Sequence, residues 1–260
     1  LHARTTGHFG LVLAIHVLSL PVVGIMSWSS IIAALTKLKS AQPEDAVVAY
    51  FAGHGVAVEQ RFYLIPHDLG YAGNREAIDA TGMRRVLSQS ISDEELVKLF
   101  EGVDAGQLLL VIDACNSGQV LEAEETRRGP MNSKGLAQLA YEKGISVLTA
   151  SQSYQAALEN KELGHGYLTY ALVEDGLRKM AADNRPRDGR VLLREWFDHA
   201  TEKVPRMQEK QYQAERARIL LRQKASQLKG KVKPEAQRPR LFYRREADAQ
   251  PLVITQSPRK

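Results

Sequence analysis

Residues 108–118 read Leu108-Leu109-Leu110-Val111-Ile112-Asp113-Ala114-Cys115-Asn116-Ser117-Gly118. The apolar part is short, ends in β-branched residues and follows the breakers Asp104-Ala105-Gly106, so it predicts a strand buried on both faces. That strand ends in an acid, a thiol and a set of turn formers. A second run of the same kind, residues 46–52 (AVVAYFA), follows Gln42-Pro43-Glu44-Asp45 and leads into Gly53-His54-Gly55. Residues 62–66 and 145–150 supply two further strands by the same criteria.

Helical stretches alternate with these strands. Residues 30–39 carry Ile31, Ile32, Leu35 and Leu38 at a spacing of three to four, which gives one apolar helical face. Ser92 followed by Glu95 forms a capping-box pattern ahead of Leu96, Val97, Leu99 and Phe100. Residues 136–141, 167–180 and 191–204 follow the same logic, and residues 207–229 contain neither Gly nor Pro and predict a long exposed helix. Residues 238–245 and 252–255 can add an edge strand. Strand–helix alternation with buried strands predicts an α/β fold: a mainly parallel sheet between helical layers, a three-layer α/β/α sandwich. In such sheets ligands bind at the carboxyl ends of strands, where the histidine and the thiol both stand.

Charge divides the chain. Residues 203–245 hold 14 Lys/Arg against three acids, a surplus of 11, which leaves −6 for the rest of a chain whose net charge is +5. The basic stretch reads first as a solvated helical face. Aromatics there are sparse and no nucleic-acid-binding motif is visible, so nucleic acid is not an expected partner. The stretch can also act as an arm that meets an acidic surface. Residues 9–26 are apolar apart from His16, Ser19 and small residues, with Pro21 inside. A membrane helix needs about 20 such residues, and buried strands are the favoured reading, with membrane contact through 9–26 left open. The chain opens on Leu1 rather than Met, so its true start is expected to be missing or processed. The expected division is an apolar N-terminal segment at 1–28, an α/β domain at 29–205, and a basic helical arm and tail at 206–260.

Cys115 is the only cysteine. No intrachain disulfide can form, which fits a reducing compartment and a cytoplasmic location. A histidine and a thiol at neighbouring strand ends can form a catalytic dyad. The thiolate is the nucleophile, and an imidazolium beside it lowers the thiol pKa. Backbone N–H groups of Gly55 and Cys115 could then face a developing oxyanion. On spacing alone, a histidine in a glycine turn and an inert core cysteine is an equally good reading.

The motifs separate the two. Ala52-Gly53-His54-Gly55 after one apolar strand and Asp113-Ala114-Cys115-Asn116-Ser117-Gly118 after another resemble the two active-site motifs of caspase-like cysteine peptidases. Residues 62–68 (FYLIPHD) and 162–172 (ELGHGYLTYAL) resemble the family in the same order, and the similarity covers about residues 31–204. The match is to metacaspases and bacterial caspase-like proteins rather than animal caspases, because Asp113 and Asn116 flank the thiol region. The resemblance implies an endopeptidase acting on protein or peptide substrates, with His54 and Cys115 as the catalytic pair. It implies that Asp113, with Ala52 beside the site, binds substrate and selects Arg or Lys at P1. Against this, a short acid at a strand end can simply cap backbone amides, and legumain-like relatives carry an acid nearby yet cut after Asn. His165, in a second Gly-His-Gly, reads as a loop residue, and His67 and Asp68 as a surface loop.

No residues form a zinc pattern or an EF-hand, so no resident metal or cofactor is expected. The resemblance allows calcium activation through surface acids, for which Glu122, Glu124 and Glu125 could serve. It also implies a linker cut during activation, with Arg127, Arg128 and Lys134 as candidate self-cleavage positions and an ordinary solvated loop as the alternative. The family normally opens with a strand, a helix and a strand before the histidine strand, whereas only about 45 residues precede it here. The rival function is a catalytically idle scaffold or adaptor that works through the basic C-terminal arm.

Overall fold

The computed structural model describes residues 12–17, 20–22, 27–58, 61–67, 79–116, 140–141, 143–150, 166–221, 238–242 and 251–257. The chain divides into two compact units, Leu1–Ala157 with Arg240–Pro251, and Leu158–Pro239 with Leu252–Lys260.

The first unit begins with strands β1 (Val12–Val17) and β2 (Leu20–Val22) and helix α1 (Trp28–Lys37). Strands β3 (Ala46–Val58) and β4 (Arg61–Ile65), helix α2 (Ala80–Ser88) and the short strand β5 (Ile91–Ser92) follow. Helix α3 (Asp93–Glu101) and strands β6 (Gln107–Asn116) and β7 (Ser146–Thr149) complete the run. In the second unit, an α-helical turn at Tyr167–Thr169 widens into the π-helical segment Tyr170–Arg178, together α4. Strand β8 (Arg190–Leu192) and helix α5 (Leu193–Leu221) come next. Strand β9 (Arg240–Phe242) belongs to the first unit, and β10 (Val253–Gln256) to the second.

Among the described residues, the first unit is built on an eight-stranded sheet of order β2-β1-β3-β6-β7-β9, with β4 and β5 branching from β3. Its centre, β3-β6-β7, is parallel, and β1, β2, β4, β5 and β9 join antiparallel around it. On one face Val47, Ala49 and Phe51 of β3 and Leu108, Leu110 and Ile112 of β6 pack with Ile31 and Leu35 of α1 and Leu96 and Phe100 of α3. On the other face Leu109, Val111 and Leu148 are also fully buried. Burial on both faces is why these strands are apolar runs rather than alternating ones. The fold is the expected α/β arrangement with a parallel core.

Local signals explain the helices. Ser27 caps α1, its Oγ accepting from the Ser30 N–H at 3.1 Å. The Ser92 capping box forms as expected: its Oγ accepts from the Glu95 N–H at 3.2 Å, and a Glu95 carboxylate oxygen accepts from the Ser92 N–H at 2.9 Å. Such a cap stabilises a helix by about 1 kcal/mol. Residues 12–17 and 20–22 of the apolar N-terminal stretch are strands, and among the described residues no helix is long and apolar enough to cross a membrane.

In the second unit β8 and β10 pair antiparallel in a two-stranded sheet. The two helices expected at 191–204 and 207–229 are one continuous helix through Leu221, with Pro205 inside it. Proline removes one helical hydrogen bond, but Val204 and Gln208 on either side are buried, and side-chain packing holds the helix through it. The Trp196 Nε1–H donates to the Leu172 carbonyl at 2.9 Å and ties α5 to α4. Buried Glu195 accepts from the Arg185 N–H at 2.7 Å and the Leu192 N–H at 3.0 Å, so one carboxylate holds both the preceding loop and the start of α5.

Candidate active site

Strands β3 and β6 run in parallel register through ten consecutive pairs, from Ala46 opposite Gln107 to Gly55 opposite Asn116. In that register His54 is the partner of Cys115 and Ala52 the partner of Asp113. Neighbouring strands lie about 4.8 Å apart, so the backbone alone brings together two positions distant in sequence. A slip of one residue would move every side chain to the opposite face.

The register is fixed at the far end of the strands. The Gln107 N–H donates to the Asp45 carbonyl at 3.3 Å. At Gly106 the chain passes so close to the Pro43 carbonyl oxygen that a Cβ there would collide with it. The breakers 42–45 and 104–106 thus start the two strands level with each other.

Alternation along the strands sorts the residues by face. Val47, Ala49 and Phe51 face the α1–α3 core, as do Leu108, Leu110, Ile112 and Ala114. His54 therefore belongs to the opposite face, with Ala52 and Tyr50, and Asp113 belongs there with Val111. Cys115 lies two residues beyond Asp113 on the same strand. His54 is half-buried, and Asp113 is buried at 7% exposure. A carboxylate removed from water in this way demands polar or cationic company. Ala52 beside it has the smallest side chain that carries a Cβ, which limits crowding on that side.

The Gly-His-Gly segment differs in one respect from its sequence reading. It does not follow the strand but lies within it, because β3 continues to Val58 and pairs with β4. On the outer edge of β3 the partner changes here. Strand β1 pairs as far as Ala52 opposite Val12, and β4 takes over at His54 opposite Ile65. The histidine thus stands at a break between two partner strands, with β6 on its other side throughout.

Gly55 has a packing reason for its identity that the sequence did not disclose. A Cβ there would lie 2.7 Å from the Phe62 ring and 3.1 Å from the Ala114 Cβ. The turn following Pro66 places His67 on the surface. Asp68, His165, Glu122, Glu124, Glu125, Arg127, Arg128 and Lys134 lie outside the described residues. Among the described residues no group of three or more His, Cys, Asp or Glu is arranged to hold a metal ion.

A second charged cluster, not singled out from sequence, sits in the second unit. Asp175 of α4 is buried, and its Oδ2 meets His199 Nε2 at 3.1 Å and Lys203 Nζ at 2.7 Å, both from α5. Its Oδ1 lies 3.6 Å from Lys179 Nζ, which also donates to the Tyr170 hydroxyl at 2.9 Å. Burial alone would raise the Asp175 pKa, but the Lys203 and His199 contacts outweigh it and hold the carboxyl below its ordinary value. Burial lowers the His199 pKa more than Asp175 raises it. The spacing of Asp175 to Lys179 and of His199 to Lys203 is visible in sequence, but their meeting across two helices is not.

Among protein families, the caspase domain of the C14 peptidases matches this chain over residues 18–239. No curated protein matches it.

Proposed function

The chain belongs to the caspase-domain family, and from that premise we propose that it is a cysteine endopeptidase whose nucleophile is Cys115 and whose acid–base group is His54. The observation that carries this reading is the register of β3 and β6, which makes the only cysteine of the chain the partner of His54.

The chemistry follows from that pairing. With the proton on His54, the Cys115 thiolate attacks the scissile carbonyl carbon and a C–S bond forms. The carbonyl oxygen becomes an oxyanion, which we assign to the backbone N–H groups of Gly55 and Cys115. The intermediate collapses, the C–N bond breaks, and the imidazolium protonates the departing amine. A thioester remains. Neutral His54 then takes a proton from water as the oxygen attacks, the C–S bond breaks, and the acid product leaves with the thiolate–imidazolium pair restored. Asp113 is assigned to bind an Arg or Lys side chain at P1 beside Ala52, since a buried carboxylate pairs strongly with a cation that enters a desolvated site.

Turnover of fluorogenic peptides ending in Arg, Lys, Asp or Asn, with and without calcium, tests this, with Cys115→Ala as control. Cleavage after Arg or Lys that disappears in the control is expected. Cleavage after Asp or Asn would keep the dyad and overturn the role of Asp113. Cuts after Arg127, Arg128 or Lys134 belong to the same proposal. They would appear as fragments in the purified wild type and not in Cys115→Ala, and a wild type that stays intact while turning over peptide would remove them.

The rival is an idle scaffold, and the surplus of 11 positive charges in residues 203–245 favours it. Salt-sensitive binding to an acidic partner by a folded protein that turns over none of the peptides would establish it.

A further inference from the structure

His54 has a neighbour on each side in the sheet. Strand β6 brings Cys115 to one, and β4 brings Ile65 to the other. Antiparallel partners share a face, and their Cβ atoms lie about 4.5–5.5 Å apart. Ile65 therefore stands on the same face as the imidazole, on the flank away from the thiol position, and it is half-buried there.

This flank is built to stay in place. Phe62 and Leu64, on the opposite face of β4, are buried in the core at 1% and 0% exposure. The far edge of β4 is paired with β5, Tyr63 opposite Ser92 and Leu64 opposite Ile91. The next residue, Pro66, is buried and has a fixed φ. The β-branched side chain of Ile65 is itself stiff at χ1. A rigid apolar group beside a histidine does two things. It closes off ring orientations that swing toward β4, and it removes water from that flank. The first strengthens a thiolate–imidazolium pair through orientation; the second raises the attraction between the charges but also costs hydration of both ions, so orientation carries the net effect.

We propose that Ile65 is a positioning residue, an apolar wall that holds the His54 imidazole toward Cys115. This rests on the reading of His54 and Cys115 as a working pair.

Because the chain has a single cysteine, the rate of its alkylation by iodoacetamide as a function of pH reports the thiol pKa without any substrate. The wild type is expected to titrate well below the ordinary thiol value of about 8.5. Ile65→Ala should raise that midpoint by about half a unit or more and lower kcat by about tenfold with little change in KM. Ile65→Val should recover most of both relative to Ile65→Ala. Ile65→Thr keeps the β-branch and the strand, and so covers the case in which the alanine variant does not fold. Its hydroxyl can accept a hydrogen bond from the imidazole and turn the ring toward β4, so it should raise the midpoint. Folded Ile65→Ala or Ile65→Thr protein with wild-type midpoint and kcat would overturn the wall and leave the dyad standing. A wild type that titrates like a free thiol, unchanged by His54→Ala, would overturn the dyad reading and the wall with it.

Discussion

His54 on β3 and Cys115 on β6 are register partners in a pair of parallel strands, although they stand 61 positions apart in the chain. If they work as a dyad, removing the imidazole removes both the thiolate's counter-charge and the acid for the leaving amine. His54→Ala is expected to lower kcat/KM for an Arg or Lys peptide by at least about a thousandfold. It should also move the alkylation midpoint of Cys115 up toward that of a free thiol. His54 is half-buried and outside the α1–α3 core cluster, so thermal unfolding should change little. Loss of activity with a collapsed melting transition would speak for a structural role instead.

Asp113 is buried two positions before Cys115 on the same strand. Asp113→Asn keeps the shape and removes the charge. The loss for Arg and Lys peptides should be on the order of a hundredfold in kcat/KM, the scale of one partner lost from a desolvated charge pair. If His54 supplies the counter-charge, the alkylation midpoint of Cys115 should remain below that of a free thiol. Equal loss of thiol reactivity and peptide turnover would mean that Asp113 supports the site rather than reads the substrate.

Gly55 and Phe62 test the packing under the site. Gly55→Ala would put a methyl 2.7 Å from a ring that is 1% exposed. Neither the ring nor the neighbouring Ala114 has room to withdraw, so the cost should be about 1–3 kcal/mol of stability. Phe62→Leu, itself destabilising, should absorb part of that cost. The double variant is then more stable than the sum of the singles predicts. Strict additivity in denaturant melts would mean that Gly55 is not held by this contact.

These cases also show which features sequence can carry. The capping box at Ser92 and Glu95 was legible because both hydrogen bonds close within four residues. The buried strands were legible because burial on both faces removes polar residues from the run. The extent of β3 was not, since Gly53 and Gly55 look like a strand end. What makes them strand residues is the approach of Phe62, a hairpin away, and the pairing of β4. The antiparallel direction of β1 depends on pairing that a short apolar run does not encode. Proline at 205 signals a helix end, and buried side chains on both sides of it override the signal. The candidate residues His54 and Cys115 can be named from sequence, but their alignment across two strands cannot. The register is set where Gly106 passes Pro43 and where Gln107 bonds Asp45, one strand length away from His54 and Cys115.

The charged cluster of the second unit predicts a loss of stability in acid. His199 faces Asp175 of α4 and Lys203 of its own helix, and also feels Glu202. Its pKa in the folded chain lies below the ordinary value, chiefly through burial, with Lys203 adding to the effect. An unfolded chain therefore binds this proton more readily than the folded one. The contribution of His199 is complete above about pH 6.5 and declines as pH falls through that value toward the lower folded pKa. Asp175 acts in the same direction at lower pH. Its pKa is also depressed, so its contribution is present above about pH 4 and is lost as pH falls through the folded value. The thermal midpoint should thus drop between about pH 7.5 and about pH 5.5, and again on further acidification. His199→Gln retains a polar group beside Asp175 but has no proton to take up in this range. It should flatten the first drop and leave the second, which belongs to the carboxylate. An unchanged first drop in His199→Gln would mean that the acid sensitivity arises at another histidine.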